Sequence, residues 1–340
     1  MAQEYVPEVV AELQIMVQRG LPNWGLSAAT RVQLLNLSEN ATFALNDPSA
    51  GRNLALRVHR VGYSSAAQIR SELAWINALI RDDAIETAAP VPGSNGELVQ
   101  VLESPSGKQP RYAVAFDWLP GTAPDSSIDA VPWFERLGEL TARMHRQARA
   151  WTQPAGFQRR RWDLDGMVGL NGYWGSWRAA IGLDRAGGAA LEEALIHIRH
   201  RIERYGMGAD RFGLVHADLR LANLLVDGAH LRIIDFDDCG FSWFMYDFAT
   251  AVSFIEHEPV VPQLLQAWSI GYRNFAPLEV DDIAEIPTFV VLRRILLTAW
   301  LASHAEVPFA RQFGATHTEG TVRLAQQLLR GRFLSAACAA

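Results

Sequence analysis

Lysine is nearly missing from this chain. Of its 31 basic residues, all but Lys108 are arginine. Any role that a catalytic lysine usually fills must fall to arginine or to that one position. Cysteine is scarce too. Cys239 and Cys338 stand far apart, which excludes a disulfide framework and fits a reducing, cytoplasmic setting. There is no basic tail or stripe, and the net charge is −6, so nucleic acid is not an expected partner. The start, Met1-Ala2-Gln3-Glu4, has no basic segment of the kind that opens a signal peptide. The most apolar long stretch, Phe289 to Ala302, is cut by Arg293-Arg294 and is too short to span a bilayer. It reads as a buried helix, and no membrane partner is expected. Repeats, heptads and low-complexity runs are absent. What remains is 340 residues, 49% of them hydrophobic, enough for a large core divided between two lobes.

The pattern along the chain is strands first, helices later. Residues 4–19 space Val9, Val10, Leu13, Met16 and Val17 as a helix, which Gly20 can end. Strand-like runs follow at Arg31–Leu37, Ala41–Asn46 and Asn53–His59, separated by turn residues. A helix is expected over Ala66–Ile80. Two more strands, Glu97–Glu103 and Tyr112–Trp118, flank a turn at Ser104-Pro105-Ser106-Gly107. Residues 131–150 are strongly periodic, with His145 near the helix end, where packing on the core is the simplest role. An irregular insert rich in Trp and Arg then precedes a helix over Ala189–Tyr205. From Pro262 on, three helices and a tail at Ala336–Ala340 are expected. The sum is an α+β chain.

One stretch carries chemistry. His216-Ala217-Asp218-Leu219-Arg220-Leu221-Ala222-Asn223 reads H-x-D-L-x-x-x-N. Leu224-Leu225-Val226 follows, then a turn at Asp227-Gly228, then a strand closed by Asp235-Phe236. Phosphoryl transfer needs these groups: one carboxylate to orient the acceptor hydroxyl, and a second carboxylate with a carboxamide to hold Mg²⁺ against ATP. Hard oxygen ligands suit Mg²⁺. The plain alternative is an Asx-rich turn between two strands, with His216 a satisfied structural histidine.

With Ile234-Asp235-Phe236, this loop resembles the aminoglycoside phosphotransferase and choline kinase superfamily, which includes the bacterial phosphotransferase enzyme family. The resemblance covers roughly residues 30–260. It implies a two-lobe protein-kinase-like fold: an N-lobe over 1–118 with an antiparallel sheet and one helix, a hinge at about 116–121, and a mainly helical C-lobe over 119–340. It implies ATP and Mg²⁺ as cofactors. Asp218 is then the catalytic base, Asn223 and Asp235 the metal ligands, and His216 a support of the loop. Asp247, in Tyr246-Asp247-Phe248-Ala249, is the structural aspartate that accepts backbone or His N–H bonds from the loop. Arg57, in Leu54-Ala55-Leu56-Arg57-Val58-His59, takes the phosphate-holding place of the usual kinase lysine, with Glu72 as its partner. A strand arginine paired with a helix glutamate for stability alone is the alternative. Ser38-Glu39-Asn40-Ala41-Thr42 stands where a Gly-rich loop would, with Asn40 near the nucleotide, and a plain β-turn reads as well. Backbone groups from Asp117 to Leu119 would bond the adenine edge.

The acceptor stays open. Asp237 replaces the Gly of D-F-G, which favours a small-molecule acceptor such as an amino alcohol, a sugar or an aminoglycoside-like compound. Asp237-Asp238-Cys239 also resembles a bacterial stress-response Ser/Thr kinase branch, so a protein substrate is a second reading. A non-catalytic nucleotide-binding regulator is a third, against which Asp218, Asn223 and Asp235 stand intact. Asp237, Asp238, Glu256 and Trp174 are the acceptor-site candidates. Glu256 and Glu258 either attract a cationic substrate or form a solvated helix end. Trp174 and its neighbours either wall an acceptor lid, with a cation–π cage, or are buried under a long loop. Oligomeric state is not legible.

Overall fold

The computed structural model describes residues 7–38, 40–125, 128–305, 308–334 and 338. Residues 4–6 of the expected first helix, Glu39 and most of the tail lie outside the described residues. The chain divides into two compact units. One takes Met1–Arg81, Glu86–Pro120 and Gln153–Arg159, and the other takes Asp82–Ile85, Gly121–Thr152 and Arg160–Ala340.

The first unit runs α1 (Pro7–Gly20), β1 (Arg31–Leu37), β2 (Ala41–Asp47), β3 (Arg52–Val58), α2 (Ala66–Arg81), β4 (Pro90–Val91), β5 (Gln100–Leu102) and β6 (Arg111–Asp117). The sheet order is β1-β2-β3-β6-β4, with β5 also on β6, and every pairing is antiparallel. Strand alternation sorts the side chains. Leu54, Leu56 and Val58 join Leu13, Val17, Trp24 and Phe43 in one hydrophobic cluster, so Arg57 falls on the other face. Helix α2 opens with a reciprocal cap: Gln68 N–H donates to Ser65 Oγ (3.2 Å), and Ser65 N–H donates to Gln68 Oε1 (2.9 Å). The expected strand at Glu97–Glu103 shrinks to Gln100–Leu102, because Gly93 N–H is turned onto Glu97 O (2.9 Å) in a loop. Segment Gln153–Arg159, expected with the second lobe, belongs to this unit. Gln158 N–H donates to Ser71 Oγ (2.9 Å), and Arg159 Nη1 donates to Gln68 O (3.0 Å).

The second unit runs α3 (Val131–Ala150), β7 (Arg160–Arg161), α4 (Leu164–Val168), α5 (Arg185–Tyr205), β8 (Phe212–Val215), β9 (Leu224–Asp227), β10 (His230–Ile233), β11 (Gly240–Trp243), α6 (Tyr246–Ala251), α7 (Val261–Arg273), α8 (Val280–Ser303) and α9 (Pro308–Leu329). Helices α3 and α7 touch backbone to backbone. A Cβ at Gly138 would sit 2.0 Å from Trp268 O, and one at Gly271 would sit 1.8 Å from Glu135 O. Only glycine fits either place.

Helix α8 is the core of this unit. It starts with a capping box between Glu279 and Asp282. Pro287 inside it offers no N–H to Ile283 O, and Cys338 Sγ lies 3.5 Å from that oxygen. By length and composition α8 could cross a membrane, yet 83% of its most apolar window is buried in the fold. Arg293 and Arg294, which break the apolar run, are both paired inside. Helix α6 stops at Ala251, and Phe254 turns the chain at φ 72°. One expectation changes. The strand expected to close on Asp235 ends at Ile233.

Candidate active site

The loop after β8 is held from beneath by Asp247, the second residue of α6. Its carboxylate accepts His216 N–H (3.1 Å) and Ala217 N–H (2.8 Å). It also accepts His145 Nε2–H at 3.0 Å, while His145 Nδ1 faces Tyr272 OH at 3.0 Å. Thr250 extends the support, because Leu219 N–H donates to its Oγ1 (2.9 Å). Ala217 sits in the left-handed region at φ 65°, a strained turn that these bonds hold in place. His216 is fully buried. Its Nδ1 accepts Asp218 N–H (3.2 Å), so Nε2 carries the proton and donates to Ile234 O (3.1 Å). Burial holds both imidazoles below the usual histidine range, which fits these neutral tautomers.

Asp218 is fixed on every side. Asn223 Nδ2 donates to its Oδ2 (2.7 Å) and to its backbone oxygen (2.8 Å). Arg220 Nε reaches Oδ2 at 3.2 Å, and Arg293 Nη2 reaches Oδ1 at 2.7 Å. Burial pushes the carboxyl up, but the two guanidinium charges outweigh it and hold Asp218 below the ordinary carboxylate range.

Asn223 spends its amide N–H on Asp218, which leaves its side-chain oxygen as an acceptor. Its backbone oxygen accepts Ile234 N–H (2.9 Å), and so ties the loop to the residue before Asp235. Asp235 itself is exposed, at φ 64°. A carbonyl oxygen and a carboxylate are hard donors, and Mg²⁺ needs few protein ligands because water and phosphate supply the rest. The residues present fit that ion.

In the first unit, Arg57 Nη2 meets Glu72 Oε1 at 2.5 Å, with side chains 6% and 0% exposed. The Arg57 guanidinium lies over the Phe116 ring, 5.3 Å from its centroid. Asn40 is buried, and its side-chain oxygen accepts Arg60 N–H (3.1 Å), so the turn is braced against the end of β3. Asp117 N–H is spent on Ala89 O (2.9 Å), which removes that donor from the expected adenine contact. Leu119 lies past the strand end, half-buried.

The acceptor candidates separate. Asp237 is buried. Asp238 pairs with Arg160 (3.1 Å), and its backbone oxygen accepts Trp162 Nε1–H (2.7 Å). Glu256 is neither a solvated helix end nor an open anion. Its fully buried carboxylate is ion-paired with Arg294 in the wall of a cavity of about 580 Å³ that Phe254, Glu258, His317 and Arg323 also line. Trp174 is buried on Trp162, with ring centroids 5.3 Å apart. The cation on its ring is the chain's own Arg293, at 5.1 Å. That contact answers the cage expectation from within. The residue missed by sequence reasoning is Arg293. Its signal was a charge inside an apolar helix, which must find a buried partner.

An aspartate braced in an H-x-D-x-x-x-x-N loop, with Asp235 next to Ile234, whose N–H donates to Asn223 O, fits a kinase-type phosphotransferase. The sequence profile described as "Phosphotransferase enzyme family" matches residues 31–279, and the chain belongs to that family. A solved structure described as a microcompartment-associated aminopropanol kinase is 39% identical, has a TM-score of 0.86, and is covered over 98% of its length by 94% of this chain. The amicoumacin kinase of Bacillus subtilis is 27% identical over 68% of this chain and 69% of its own. An amicoumacin kinase solved with AMP-PNP and Ca²⁺ shares the fold, with a TM-score of 0.77 at 21% identity over 96% of this chain and 97% of that one. The fold is protein-kinase-like, with an antiparallel sheet followed by a mainly helical part. The protein is a phosphotransferase that acts on a hydroxyl of a small molecule.

Proposed function

We propose that the acceptor is a small amino alcohol. The observation that carries this is the 39% identity, over 94% of the chain, to the aminopropanol kinase. In this reading Asp218 receives the acceptor hydroxyl and takes or orients its proton as oxygen attacks the γ-phosphorus. The products are ADP and a phosphate ester. Asn223 and Asp235 hold the divalent ion, which when bound neutralises charge developing on the phosphates. Arg57, steadied by Glu72, holds phosphate oxygens as a fork rather than as a lysine's point charge. The adenine edge meets backbone beyond Asp117, whose own N–H is taken. Asp247 and His216 keep the loop in shape. The N-lobe role of covering nucleotide goes to the first unit, and that of holding metal and acceptor to the second. The enzyme works in the cytoplasm, where ATP is plentiful and its two thiols stay reduced.

The test is ADP release from Mg²⁺·ATP across aminopropanol, ethanolamine, choline, sugars, aminoglycosides and a generic protein, with Asp218→Asn as control. Asp218-dependent turnover of an amino alcohol is the expected result. Turnover only with a sugar, an aminoglycoside or the protein would overturn the acceptor assignment. Loss of Mg²⁺-dependent ATP binding in Asp235→Ala tests the metal role separately.

A further inference from the structure

A carboxylate that must receive a hydroxyl has a difficulty when the substrate also carries an ammonium group. The ammonium is the stronger partner for a carboxylate. If it docks on Asp218, the wrong end of the molecule lies at the reacting centre. Asp218 does not stand open to that error. Arg293 Nη2 occupies its Oδ1 at 2.7 Å, and the Arg293 side chain is 3% exposed. Arg293 reaches Asp218 from α8, and three further groups hold it there. Its Nε donates to Ser253 Oγ (3.2 Å), its Nη1 to Tyr246 OH (3.3 Å), and its guanidinium lies 5.1 Å from the Trp174 ring. Arg294, the next residue, is ion-paired with Glu256 instead, so of the two consecutive arginines only Arg293 is placed on Asp218.

We propose that Arg293 is a positioning and specificity residue: it is a built-in cation that fills the ammonium place on Asp218, so that the catalytic carboxylate accepts a hydroxyl and rejects an amine. This rests on the amino-alcohol reading for its relevance, but its mechanism holds for any acceptor that carries both groups. The charge count supports it. With Arg293 in place, the second oxygen of Asp218 is shared by Asn223 and the half-exposed Arg220. What Asp218 still offers is one acceptor position on a carboxylate whose own charge two guanidinium groups offset. A neutral hydroxyl can take it, and an ammonium there meets the repulsion of both guanidinium groups.

The experiment compares two inhibitors of the forward reaction: propylamine, which lacks the hydroxyl, and propanol, which lacks the amine. Both are measured competitively against aminopropanol, or against whichever hydroxyl acceptor the wild type turns over. In Arg293→Gln, the ratio of propylamine to propanol affinity should shift toward the amine by about tenfold to a hundredfold, the worth of a charge-assisted hydrogen bond. kcat should fall by about a hundredfold as the carboxylate loses its fixed geometry. Arg293→Lys should restore the wild-type inhibitor ratio while recovering kcat only in part, since it returns the charge without the fork. Tyr246→Phe loosens Arg293 without removing it, and should shift the ratio the same way by a few-fold. That keeps the test alive if the glutamine variant does not fold, as judged by Mg²⁺·ATP binding. An unchanged ratio in folded Arg293→Gln or Tyr246→Phe overturns the proposal, even if kcat falls. A wild type that turns over no amino alcohol refutes the acceptor reading only.

Discussion

Two buried arginine–carboxylate pairs, one in each unit, differ in how much of the carboxylate is left over. Glu72 has no exposed surface against Arg57, whereas Asp218 keeps 13% of its side chain accessible against Arg293. The first is a closed brace between a strand and a helix. The second is held as firmly but stays reachable, as the proposed reacting group must be. A third pair, Arg294 with Glu256, is closed like the first. Burial of a charge pair therefore does not by itself mark a functional site, since buried pairs are weak evidence even for stability. Burial of the pair with part of the carboxylate still accessible does.

The sharpest way to break this contrast is Asp218→Asn. It should lower turnover by about 10²–10⁴-fold, the usual worth of general-base catalysis, with Mg²⁺·ATP binding by calorimetry nearly unchanged. Wild-type turnover in that variant would take Asp218 out of the chemistry. The closed pairs should behave in the opposite way. Glu256→Ala leaves Arg294 buried and uncompensated, and should cost about 3–5 kcal/mol in urea unfolding. Where it remains folded, its kcat should stay near wild type. A large loss of kcat without a loss of stability would move Glu256 into the acceptor site.

A smaller effect concerns acid. Burial depresses the imidazoles of His145, His216 and His317, the last to about 3. Below the ordinary value of 6.5, the unfolded chain binds protons that the folded chain refuses. Stability should therefore fall as pH drops through 6.5, and the His317 share keeps falling until about 3, by up to about 1.4 kcal/mol per pH unit for each histidine. Urea midpoints at pH 7.5, 6.5 and 5.5 read this directly, and a flat series would show that the rings are protonated in the fold. The smallest effect belongs to the lone lysine. Lys108 pairs with Glu12 at 2.7 Å but is 68% exposed. Lys108→Ala should cost less than about 1 kcal/mol and leave turnover intact, unlike Arg57→Ala, which should weaken ATP binding.

What could be read in advance tracks sequence distance. His216, Asp218 and Asn223 lie in one loop, so their spacing alone brings them together. Arg57 and Glu72 are fifteen positions apart, on a strand and the next helix, whose periodicities orient them. Asp247 was readable only through resemblance, thirty-one positions from the His216 N–H that it accepts. Arg293 lies seventy-five positions from Asp218, and no local period reports a contact of that span. Glu256 misled for a related reason. A Glu-His-Glu-Pro end reads as solvated until α8 brings Arg294 against it. Trp174 is buried, as one of its two readings had it, and the cation on its ring comes from the same helix.

The sequence by itself determined the main strands of the first unit, the principal helices, the reaction class and the residues of the candidate catalytic loop. Periodicity and short motifs are local, and phosphoryl transfer demands oxygen donors at close spacing. Only the tertiary structure decided which buried charges face the reacting centre and which close on each other. That depends on the rotation of α8 in its packing, where consecutive arginines must point apart and each must find its own carboxylate.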